Sequence, residues 1–155
     1  WDYMVYDFRI HGANIVERHQ NDPAIDAEPA KMLPAMAAAR FSIFRVERIE
    51  PGLGIHFTDV LQGDSVFIVD YSLSHTAKIG SLVAARILPL PEFNIFSGVL
   101  APVDERIVEA SKNKLALLKS CHPDGSITPQ ERSELALYVF RQALAQDYVS
   151  LVAHY

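Results

Sequence analysis

Between residues 41 and 100 the apolar side chains recur with a period of two, and Gly or Pro breaks the pattern at short intervals. FSIFRVERI places Phe41, Ile43 and Arg45 on one face and Phe44, Val46 and Arg48 on the other. GIHFTDVL, SVFIVDYS, SLVAARILPL and FNIFSGVL follow, with PGLG, QGD, SLSHTAKIG and PLPEF as punctuation. Successive side chains alternate across a strand, whereas a helix needs a period near 3.6, so these runs read as strands. Five short strands in about 65 residues predict a small antiparallel barrel or a strongly curled sheet.

The flanks are of another kind. WDYMVYDFRI reads as an N-terminal strand with aromatics on both faces, ended by Gly12, and ANIVERHQ as a short helix. Asp26 is placed to cap a further helix, with Glu28 and Pro29 in its first turn and Pro34 set to kink or divide it. After the sheet, Asp104 caps a helix through ERIVEASKNKLALLKS, with Ile107, Ser111, Leu115 and Leu118 on one stripe. Thr128-Pro129-Gln130-Glu131 is a capping box, and the helix it opens carries Leu137, Phe140, Leu144, Tyr148 and Leu151 at helical spacing. The expectation is an α+β fold in one domain, 1–155. Residues 1–40 form the N-terminal strand and helices, 41–103 the five-stranded antiparallel curled sheet or barrel, and 104–155 the two C-terminal helices.

Composition excludes more than it identifies. Half of the 155 residues are apolar and 21% are charged, which is globular rather than disordered. The net charge is −5, and it divides as −2 over residues 1–40, −4 over 41–105 and +1 over 106–155. No block has the cationic excess that duplex nucleic acid or an anionic membrane requires. One cysteine, Cys121, rules out an internal disulfide framework and a cysteine zinc cluster, and fits a cytoplasmic location. There is no apolar run long enough to span a membrane and no signal-peptide pattern at the start, which also lacks a methionine; the expectation is a fragment, or a chain with trimmed ends.

Candidate chemistry concentrates in IEPGLGIHFTDVLQGDSVFIVD. Gly52 and Gly54 supply two glycines of a dinucleotide fingerprint, but Phe57 stands at the sixth position and a strand follows instead of a helix. Asp59, Asp64 and Asp70 lack the alternating oxygens of a calcium loop. No HxxxH or HExxH pair occurs, so no metal and no cofactor is expected. Arg86 shares a strand face with Leu82, Ala84 and Leu88, and a buried guanidinium needs a carboxylate. Asp59 is the first choice of partner, Asp70 the second. His56, Asp59, Asp70 and His75 are the candidates for catalysis, without a GxSxG elbow to support them.

The segment from Phe41 to Gly98 resembles uncharacterised bacterial proteins of the kind that often carry a SEC-C zinc motif. The shared features are Phe41 to Val46, Pro51-Gly52, Asp59 to Gly63, Gly80-Ser81, Ala85-Arg86 and Ser97-Gly98, and WDYMVYDFRIHG resembles the region upstream. The resemblance covers about residues 1–100. Serine replaces aspartate after Gly80, and the cysteine-rich SEC-C motif is absent, so the resemblance implies architecture but neither zinc nor activity. The leading expectation is a non-enzymatic binding or scaffold module of a larger bacterial cytosolic protein. It would work with a protein partner or as a homo-oligomer, away from membranes and duplex nucleic acid. A small hydrolase or nuclease-like enzyme using the Asp and His candidates is the alternative, and a single-stranded RNA-binding barrel with exposed aromatics is the third.

Overall fold

The computed structural model describes residues 2–20, 22 and 31–145. Among the described residues three short helices lead in: α1 (Asp2–Tyr6), α2 (Ile15–His19) and α3 (Leu33–Ala37). Five strands follow: β1 (Arg40–Glu50), β2 (Gly54–Asp59), β3 (Ser65–Val69), β4 (Leu82–Pro89) and β5 (Asn94–Pro102). Helix α4 (Tyr71–Thr76) lies between β3 and β4, and α5 (Glu105–Ser120) and α6 (Pro129–Ala145) complete the described chain. The class is α+β, and the strands close into a barrel in the order β1-β2-β3-β5-β4.

The strands sit where the period of two places them, but the sheet is mixed and not antiparallel throughout. β1 pairs antiparallel with β2 and β4, β2 with β3, and β4 with β5, whereas β3 meets β5 in parallel at Ile68↔Asn94. The stretch after β3, expected as a loop, is α4, capped by Asp70, whose carboxylate accepts the Leu73 N–H at 2.8 Å. The chain then passes to β4, which pairs with the far edge of β1. The free edge of β3 is left for β5, which runs in its direction.

Alternation divides the core into two layers. Phe44, Val46, Ile55, Phe57, Ile68, Ala85, Ile87 and Phe96 fill the barrel. Their strand neighbours Ile43, Leu82 and Ala84 face outward and pack with Ile107, Val108, Leu115, Leu135 and Val139 of the two long helices. Phe44, Phe57 and Phe96 meet inside at centroid distances of 5.3 to 6.3 Å, tilted or edge-on as aromatic quadrupoles prefer.

Two flanking elements differ from expectation. The N-terminal segment is helical at Asp2–Tyr6 and not a strand. Asp2 and Tyr6 lie one helical turn apart, so both reach Arg86, the first through its carboxylate and the second with its ring 4.6 Å below the guanidinium. In α6 the buried face is Leu135, Ala136, Val139 and Ala143, while Leu144 is exposed. The stripe of large residues read from the sequence is rotated from this face, because small Ala136 and Ala143 let the helix sit close to its neighbours. Asp26, Glu28, Pro29, Tyr148 and Leu151 lie outside the described residues. Pro34 stands in the first turn of α3, where its missing N–H costs nothing. Among the described residues, no helix is long and apolar enough to cross a membrane.

Candidate functional site

Arg86 is 4% exposed and paired, but not with Asp59 or Asp70. Its Nε donates to Asp2 at 3.0 Å and its Nη2 to Asp7, and Asp2 also accepts the Ser97 hydroxyl at 2.5 Å. The expected Asp59–Arg86 pair fails for a reason of sheet geometry. Asp59 continues the inward face of Ile55 and Phe57, whereas Arg86 lies between inward Ala85 and Ile87 and faces out. The two side chains are on opposite surfaces of the barrel wall.

Asp59 has its own arginine. Its buried carboxylate accepts from Arg40 Nη1 at 2.5 Å, from the Ser42 hydroxyl at 2.5 Å, and from the N–H groups of Leu61 and Gln62 at 3.0 Å. Arg40 Nη2 also reaches Asp64 at 2.6 Å. Asp59, Asp64 and Gly63 therefore build the β2–β3 turn, and Arg40 clamps it to the start of β1.

The other catalytic candidates are dispersed. His56 Nε2 lies 2.8 Å from Glu50 Oε1, and its ring packs at a tilt against Phe67. The His56 contact, first among its causes, holds the Glu50 carboxyl below its ordinary value. Asp70 caps α4, and His75 meets exposed Tyr71 of that helix edge-on. No hydrogen bond or ion pair among the described residues joins any two of His56, Asp59, Asp70 and His75. Nor does any described group of three or more His, Cys, Asp or Glu stand ready to hold a metal. Of the aromatics that an RNA platform would use, Phe44, Phe57 and Phe96 are turned inward and Phe41 packs on Phe140, whereas Phe93 is exposed.

What the two arginines share is a cavity of about 340 Å³. Five segments wall it: the end of α1 through Asp7, residues 39–42 of β1 and its approach, the β2–β3 turn through Leu61 and Gln62, β4 through Arg86, and the stretch from α5 into α6. Lys119 of α5, Gly125 and Ser126 of the connection and Arg132 of α6 stand at the rim, and Leu115 of α5, Ile127 of the connection and Leu135 of α6 form the wall. The connection is held by its own hydrogen bonds. Thr128 and Glu131 form the capping box, with contacts of 2.7 and 3.2 Å, and His122 Nε2 lies 3.0 Å from both Glu131 oxygens. The Thr128 N–H, then His122, hold the Glu131 carboxyl down at about 2.

Charge is unevenly placed here. Arg40, Arg86, Lys119 and Arg132 line the cavity with Asp7 as the one acidic member. Asp2, Asp59 and Asp64, which balance the two arginines, lie behind them and outside the lining. Lys119 and Arg132 have no ion-pair partner among the described residues, and Arg86 Nη1 has no hydrogen bond there. Burial pushes the Asp7 carboxyl up to about 6, against the opposing pull of Arg86 and the Ser133 hydroxyl. Arg40, Lys119, Arg132, Asp2 and Asp7 carry no motif in the sequence. Only the odd placement of Arg86 in an apolar strand gave a signal, and it pointed to the wrong partner.

A model of a family of unknown function (DUF7986) matches residues 1–119, which takes in α1, α2, α3, the barrel and α5 up to Lys119. It agrees with the resemblance read from the sequence in being uncharacterised and says nothing of a SEC-C motif. No curated protein and no solved structure matches the chain.

Proposed function

Since the chain belongs to this family of unknown function, which lends it no activity, we propose from the cavity alone that it is a binding module for a small molecule bearing an anionic group. One observation carries the reading. A guanidinium that is 4% exposed keeps an unused N–H beside a cavity whose rim holds two further cations without partners among the described residues. An anion placed among these donors gains charge-assisted hydrogen bonds, which are about twice as strong as neutral ones. At about 340 Å³ the space is at the small end of ligand pockets, which begin near ~300 Å³. Such a module would fit a part of a larger bacterial cytosolic protein, and the single cysteine is compatible with a reducing compartment.

Thermal denaturation against a panel of small anions at constant ionic strength tests the proposal. Saturable stabilisation by at least one anion is expected for the wild type, with loss of that response in Arg132→Glu. A melting temperature that follows ionic strength alone, equally in both proteins, would sink it.

A further inference from the structure

The proposed site has two chemically different sides. Phe41, Leu115, Ile127 and Leu135 face the same space as Arg86 and Arg132. Phosphate sites are built from converging backbone N–H groups, at a helix N-terminus or a glycine nest. The N-terminus that borders this cavity, that of α6, is already occupied: Glu131 N–H donates to Thr128 Oγ1, and the Glu131 carboxylate accepts the Thr128 N–H. The Glu131 N–H is thus already bonded, and the first helical residue, Pro129, has no N–H to offer a phosphate. The hydrocarbon wall would also be wasted on inorganic phosphate. A carboxylate asks for less. It is planar and singly charged, and two donors from Arg86 Nη1 and the Arg132 guanidinium suffice for its two oxygens. Its organic remainder can then cover the apolar wall.

We propose that the ligand is a small organic carboxylate with an apolar body, its carboxylate on Arg86 and Arg132 and its body along Phe41, Leu115 and Leu135. This rests on the cavity being an anion site at all, so the test separates the two. Hexanoate, acetate, hexanamide and inorganic phosphate would be titrated calorimetrically into the full chain and into Arg132→Gln, an exposed position whose change is checked by circular dichroism. Hexanoate is expected to bind at least tenfold more tightly than acetate, hexanamide or phosphate, and to lose at least fivefold in Arg132→Gln. Phosphate binding as tightly as hexanoate would overturn the carboxylate assignment and leave the anion site standing. Equal affinity for acetate would overturn the apolar body in the same way. Equal affinity for hexanamide, or no binding by any of the four, would overturn both.

Discussion

At the scale of the residue, Asp7 and Arg86 are unequal partners. Asp7 titrates normally at 3.8 and is pushed up to about 6 by burial, with Arg86 pulling the other way. The folded state therefore holds this proton more tightly than the unfolded chain. The resulting stabilisation is complete below about pH 3.8 and is lost as pH rises through about 6. Glu131, held down at about 2, acts in the opposite sense: its contribution is present above its usual 4.5 and fades toward pH 2. Comparing wild type with Asp7→Asn isolates the first effect. Urea midpoints at pH 4.5 and 7.0 should show the variant gaining on the wild type at the higher pH; a gap that does not change with pH would refute the assignment. The same proton bears on ligand binding. A bound anion opposes ionisation of Asp7, so affinity should fall as pH climbs through about 6, a dependence that Asp7→Asn removes. Arg86→Met is the harsher change, because it strands Asp2 and Asp7 without their cation. A loss of about 3–5 kcal/mol in denaturant unfolding at pH 7 is expected for breaking such a buried pair. A neutral result would mean that the two carboxylates are hydrated.

Among the elements, the hairpin from β1 to β3 shows two glycines that look alike in sequence and differ in cause. Gly63 has φ +87° in the turn with open space around it, while a Cβ on Gly54 would lie 2.2 Å from the Ile68 carbonyl oxygen and 2.8 Å from Phe67 Cζ. The first needs only a backbone that tolerates the left-handed region, which Asn also does. The second needs the absence of a side chain. Gly63→Asn should cost less than about 1 kcal/mol, and Gly54→Ala about 1–3 kcal/mol as overpacking that the β2–β3 ladder cannot relieve. Chemical denaturation of the two variants checks the order, and a reversed order would contradict this account of PGLG. The strands themselves were legible because alternation and turn glycines are local signals. Helix α4 was not: six residues held by one Asp70 cap leave too short a pattern to count. The segment at Asp2–Tyr6 misled in the other direction. Its aromatic composition favours a strand, and a contact to Arg86 some 84 residues away decides for a helix. The same distance hid the site. Alternation correctly put Arg86 on the Leu82 and Ala84 face, but nothing local could say that Asp2 and Asp7 would arrive there while Asp59 turned inward to Arg40.

For the whole molecule, barrel closure rests on its thinnest seam. β1 and β4 pair continuously from Arg40↔Ile87 to Arg45↔Leu82, but β3 and β5 share the single pair Ile68↔Asn94. One side-chain bond assists, from Asn94 Nδ2 to the Phe67 carbonyl at 3.1 Å. Two forces compete to set the stability of this closure. The backbone ladder is weak here, and local opening follows wherever few hydrogen bonds must break. The interior ring packing of Phe57 on Phe96, at 5.3 Å, crosses from β2 to β5 and resists opening, with about 0.5–1.5 kcal/mol from such a pair beyond its buried area. Amide hydrogen exchange decides between them. If the ladder governs, amides of β3 and the first half of β5 exchange well before those of β1 and β4, and Asn94→Ala widens the difference without touching β1–β4. Since the cavity lies at the β1 end, beside the β2–β3 turn, such opening leaves its Arg86 wall intact. Uniform protection around the barrel would instead assign closure to the aromatic core, and Asn94→Ala would then change exchange only at its own neighbours.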